Sequence, residues 1–157
     1  MTGIVIGRSY RIVIRLRPLA LLACLMLTMS CAPDDRDARR KAAGPGAGLD
    51  TLMTVASESA GATVFHQCAA CHTINQGSPD LAGPNLHDIV GQPVGQHRPR
   101  FGYTVALQSV GGRWTRARLD RWLTSPQRFA PGTSMHFAGL ADPLDRADVI
   151  AYLESRK

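Results

Sequence analysis

Strand alternation and internal repeats are both missing from this sequence of 157 residues. No run alternates apolar and polar residues for long enough to mark a half-buried strand, so nothing points to a sheet. Aromatic residues make up only 6% of the chain and do not interleave with basic ones. A stacking surface beside phosphate contacts, as nucleic-acid binding needs, is therefore not encoded. The leading apolar run, Leu19 to Met29, falls well short of the ~20 residues that span a bilayer as a helix. A transmembrane anchor is thus the weaker reading of that run. Cysteine is sparse too: Cys24, Cys31, Cys68 and Cys71. No second Cys or His pair stands at zinc-ligand spacing. No βαβ pattern surrounds the one Cys-x-x-Cys, as a thioredoxin-like dithiol would require.

What is present centres on Cys68-Ala69-Ala70-Cys71-His72. Two thiols three apart with a histidine directly after form the attachment signature of a c-type haem. Each thiol can add across one porphyrin vinyl group, and one turn of backbone spans the two vinyls. His72 is then held under the iron, where an imidazole nitrogen can bind it. The expected cofactor is one haem c, covalent through Cys68 and Cys71.

The amino terminus reads as an export signal over residues 1–31. Arg8, Arg11, Arg15 and Arg17 precede the apolar run, and small residues follow it. Leu27-Thr28-Met29-Ser30-Cys31 resembles a bacterial lipoprotein signal, with Cys31 as the lipidated residue. Cys24 fits the same pattern with too short an apolar core, and Pro33 disfavours an ordinary cut between Ala32 and Pro33. Residues 1–49 carry a net charge of +5 and residues 50–157 only +1. The basic balance therefore belongs to the leader and linker, and implies no nucleic-acid partner. Residues 32–49 are charged, then rich in Gly and Pro, and are expected to form a flexible linker. The folded domain is expected over 50–157.

Within it, Leu52, Val55, Ala56, Ala60, Val64 and Phe65 favour one side of a helix over 50–67. Residues 73–102 are loop-like, a length that suits a compact domain only if the loop packs on something. A haem is such a body. A short helix is expected over 104–110. A stronger one starts at Thr115 as N-cap, with Leu119, Trp122 and Leu123 at helical spacing, and ends at Pro126. The last helix has Asp142 as N-cap, Pro143 in first position, and a stripe of Val149, Ile150, Tyr152 and Leu153. Met135 lies in a loop stiffened by Pro131 and Gly132, a reasonable place for a ligand. His136, His66, His87 and His97 are rival iron ligands, the last three more in keeping with surface or loop positions.

Taken together these motifs resemble class I c-type cytochromes, the group of mitochondrial cytochrome c and its soluble bacterial relatives. The resemblance runs from about Gly61 to Leu153. It rests on Gly61-x-x-x-Phe65, the haem motif, Gly83-Pro84-Asn85-Leu86-His87, Phe101-x-Tyr103-Thr104, Trp114, the loop from Pro131 to Leu140, and Arg146 to Leu153. It implies an all-α cytochrome c fold, with four to five helices and loops wrapped around one haem. It implies that Pro84 orients His72, that Met135 is the distal ligand, and that Tyr103, Trp114 and Thr133 bond the haem propionates. It also implies that Gly61 and Phe65 pack on Tyr152. Gln92 stands where the family often has arginine, Leu107 where many members are polar, and Trp122 where a tyrosine is usual. The lysine ring of mitochondrial members is missing, with Arg98, Arg100, Arg113 and Arg128 as substitutes.

The expected function is electron transfer by a haem with His72 and Met135 on the iron, not an enzyme activity. The expected partners are redox proteins such as a respiratory complex, oxidase or dehydrogenase, met as a monomer or as one subunit of a larger complex. The expected place is the periplasmic side of a bacterial membrane, lipid-anchored or else soluble. The alternative function is a haem sensor or haem enzyme with a displaceable distal methionine. A thiol–disulfide protein without haem is the remaining reading.

Overall fold

The computed structural model describes residues 35–157. The leader, with Cys24 and Cys31, lies outside the described residues. Seven helices and no strands are found among those described: α1 Arg36–Ala43, α2 Leu49–Val55, α3 Glu58–Phe65, α4 Val105–Ser109, α5 Arg116–Thr124, α6 Pro126–Phe129 and α7 Pro143–Glu154. The fold is all-α, with more helices than the four to five expected.

Two of the extra helices come from the amino-terminal side. The single helix expected over 50–67 is broken at Ala56–Ser57. The Ser57 hydroxyl accepts from the Ala60 amide and caps α3, while its own amide leaves the helix path for the Asp148 carboxylate at 2.8 Å. One apolar face runs through both halves, so periodicity could not see the break. The expected flexible linker over 32–49 is also corrected in part, because it contains α1. Arg36, Arg39 and Arg40 of α1 pair with Asp142, the cap of α7, and with Asp145 and Asp148 in its first half. Long-range ion pairs, joined by Ala43, Ala47 and Leu49 on the smaller core, order this segment.

The other boundaries follow local chemistry. Thr104, Thr115 and Asp142 cap α4, α5 and α7 through their side-chain oxygens, as N-caps do. Pro126 cannot continue α5, and instead opens α6. Segment 73–102 holds no helix, and its one ladder-like contact is an isolated bridge between Pro93 and Arg113.

The frame is the crossing of α3 on α7. Gly61 makes it possible: a Cβ there would lie 2.0 Å from the Asp148 carbonyl oxygen and 2.8 Å from Tyr152 Cβ. Phe65 meets Tyr152 beside it, ring centroids 5.3 Å apart. The main core includes Val64, Phe65, Trp114, Trp122, Val149 and Ile150. A smaller core of Leu52, Leu144 and Ala147 seats α2 on α7.

Candidate haem site

The α3 helix ends at Phe65, and a tight run of turns carries Cys68 to His72. The His72 amide donates back to the Cys68 carbonyl at 2.9 Å, which keeps both cysteines and the histidine on one compact turn. The His72 Nδ1–H donates to the Pro84 carbonyl at 2.7 Å. That leaves Nε2 as the nitrogen free for a metal. Gly83 lies against the ring: a Cβ there would fall 2.3 Å from His72 Cε1. Burial pushes the His72 pKa down, opposed by the bond to Pro84, so the imidazole is neutral and ready to ligate.

Asn85 holds this loop in place. It is buried, with only 1% of its surface exposed. Its amide group donates to Thr73 Oγ1, the Asn75 carbonyl and the Ser78 carbonyl, and its oxygen accepts the His87 amide. Asp80 adds an acceptor for the Asn85 amide and an ion pair with Arg98.

Cys68, Cys71, His72 and Pro84 open onto a cavity of about 360 Å³. Tyr103, Trp114, Thr133 and Met135 line the same cavity. All eight candidate cofactor-binding residues therefore meet in one place. Phe65 from α3 and Val149 and Leu153 from α7 form part of its wall. Leu107 and Trp122, two departures from the family pattern, line it as well. Of the rival histidines only His136 reaches this cavity. His66 is exposed, while His87 and His97 border a separate, open depression with Asp88, Arg98 and Lys157. Gln92 bonds Asp88 and is not among the lining residues.

The Met135 loop is tied down from two directions. The Met135 amide donates to Thr133 Oγ1 at 3.4 Å, and Gln127 Nε2 donates to the Thr133 and Met135 carbonyls. Tyr103 is half-buried, and its hydroxyl accepts the Arg98 amide at 3.3 Å. Burial pushes the Tyr103 pKa up, so it stays a neutral donor at physiological pH.

The cysteines speak against a dithiol redox centre. Cys68 and Cys71 are not joined, and burial pushes the Cys68 thiol up to about 11. A reactive redox cysteine needs the opposite shift, toward thiolate. A large apolar cavity, two thiols at its edge and a neutral imidazole fit a covalently held haem. Sequence reading missed Gly83 beneath the imidazole and Asn85 as the loop's organiser, although it named the turn containing both.

This fold and site define a small protein that holds a haem by two thioether bonds. Comparison agrees: a family model, Cytochrome c, matches residues 58–157. A cytochrome c homolog of Bradyrhizobium diazoefficiens is 42% identical over 107 residues, covering 68% of this chain and 58% of that one. This chain therefore spans less than two thirds of that relative's length. A cytochrome c2 of Rhodomicrobium vannielii is 42% identical over 96 residues, covering 61% of this chain and 76% of that one. The solved structure of cytochrome cH from Methylobacterium extorquens matches with a TM-score of 0.60 and 35% identity, over 63% of this chain and 98% of that one. The chain belongs to the cytochrome c family and carries one haem c, bound covalently through Cys68 and Cys71.

Proposed function

We propose that the protein is a one-electron carrier in which His72 and Met135 ligate the haem iron from its two axial sides. The observation that supports this most is that His72 and Met135, 63 positions apart in the chain, line one cavity with the attachment cysteines between them in role. The haem supplies, when bound, an iron that cycles between two oxidation states. Pro84 spends the outer ring N–H of His72, fixing the imidazole's orientation and raising its basicity. The Met135 thioether is a soft ligand that favours the reduced metal and raises the potential above that of a two-histidine site. Gln127 and Thr133 hold the Met135 backbone so that the sulfur need not move between states. Tyr103, Trp114 and Thr133 offer donors to the propionates. The apolar walls keep water out, which limits reorganisation as the charge changes.

With His72 and Met135 both holding the iron, no position would be left open to a substrate, which favours electron transfer over substrate chemistry. The partners are redox proteins that donate and accept single electrons, and docking is weak enough for fast exchange. The leader pattern supports a place on the periplasmic side of a bacterial membrane, tethered through lipid on Cys31. A second reading, a haem sensor or enzyme that releases Met135, draws on Leu107 and Trp122 in the cavity wall. Potentiometric titration together with carbon monoxide exposure separates the two. A single one-electron wave and no carbon monoxide binding to the reduced protein at neutral pH supports the carrier. Ready carbon monoxide binding supports the second reading.

A further inference from the structure

The α3–α7 crossing contains a buried carboxylate whose charged partner comes from α1. Asp148 is fully buried, at 0% exposure. Its backbone carbonyl lies on Gly61 at the crossing, and its neighbour Val149 lines the haem cavity. Two residues donate to its side chain. Arg39 makes a two-pronged contact, Nη1 to Oδ1 at 2.6 Å and Nη2 to Oδ2 at 3.1 Å, and the Ser57 amide reaches Oδ1 at 2.8 Å. Both lie upstream of residue 58, where the family match begins.

Arg39 is committed to this role. Its side chain is 11% exposed, its Nε bonds Asp35, and its Nη1 also reaches the Val55 carbonyl. The flanking contacts, Arg36 with Asp142 and Asp145 and Arg40 with Asp142, lie along the same two helices. Asp142, the N-cap of α7, and Asp145 and Asp148 within it recur every three residues and face the three arginines of α1. Ala43, Ala47 and Leu49 continue the contact against Leu52, Leu144 and Ala147. A domain lacking α1 would leave Asp148 the Ser57 amide alone and remove its charged partner, and breaking a buried ion pair is strongly destabilising.

We propose that α1 and α2 form a clasp that is an obligatory part of the haem domain, closed by Arg39 on Asp148. Its closure holds the α3–α7 crossing that walls the haem cavity. Release of the clasp therefore loosens the haem pocket. The segment is then part of the haem domain, not a free tether.

The test uses the full haem-loaded protein and three variants: Arg39→Met, Asp148→Asn and the double variant. Hydrogen exchange follows the α1 amides, and Trp114 and Trp122 fluorescence follows the cavity, since haem quenches tryptophan beside it. The expected result has three parts. The α1 amides of the parent exchange as slowly as those of α7. Arg39→Met lowers the melting temperature by about 10 °C or more, with α1 and the cavity opening in one transition. The double variant melts above Arg39→Met, because Asp148→Asn removes the stranded charge. Fast exchange of α1 in the parent, or an unchanged melting temperature in Arg39→Met, overturns the proposal. So does α1 opening in a separate, earlier transition that leaves the tryptophans quenched. None of these readouts depends on whether Met135 is the sixth ligand.

Discussion

Gly83 is the residue on which the imidazole geometry turns. A methyl group there would meet the His72 ring at 2.3 Å, far inside contact distance. Gly83→Ala is expected to destabilise the protein by about 1–3 kcal/mol, read from urea unfolding, as the ring or the loop is forced aside. Asn85→Ala strands the partners of a buried amide and should cost about 3 kcal/mol in the same assay. The pH response follows from His72. Ligation needs the neutral imidazole, so protons compete with the iron for Nε2. Acidification is therefore expected to release His72 and lower stability, while the ligated site is complete at neutral pH. Helical circular dichroism against pH should show that direction of loss. Cys68, Cys71 and His72 were legible in the sequence because covalent attachment fixes their spacing. The placement of Gly83 was not, because its contact with His72 is set by the return of the loop, not by local pattern.

At the scale of elements, capping chemistry was readable and tertiary pairing was not. Thr115, Pro126, Asp142 and Pro143 announced α5 and α7, since each acts on backbone groups within one turn. Thr115→Ala should cost about 1 kcal/mol in thermal unfolding, the usual worth of such a cap. The break between α2 and α3 and the order of α1 were hidden. Ser57 is both a cap and a donor to Asp148, and only the fold brings Asp148 to it. The α1 segment has the composition of a linker, and its helix is secured by acids more than 100 positions away. The loop over 73–102 was legible as a loop, and its reason for being so long is the body it wraps.

For the whole molecule, the cofactor is part of the core. Phe65, Leu107, Trp114, Trp122, Leu123 and Met135 face a cavity that apolar side chains alone leave unfilled. Cys68→Ser/Cys71→Ser, which removes the covalent hold, should yield a chain with weakened helical signal and no sharp melting transition. No described helix is long and apolar enough to cross a membrane. Cys31→Ala is expected to move the protein from the membrane fraction to the soluble one if lipid on that residue is the anchor. The central claim is axial ligation by His72 and Met135, and an absorption spectrum of the ferric protein tests it most directly. The account predicts the weak far-red band of methionine sulfur on ferric haem at neutral pH, and its loss in Met135→Ala. A parent spectrum without that band, or a band that persists in Met135→Ala, would contradict it.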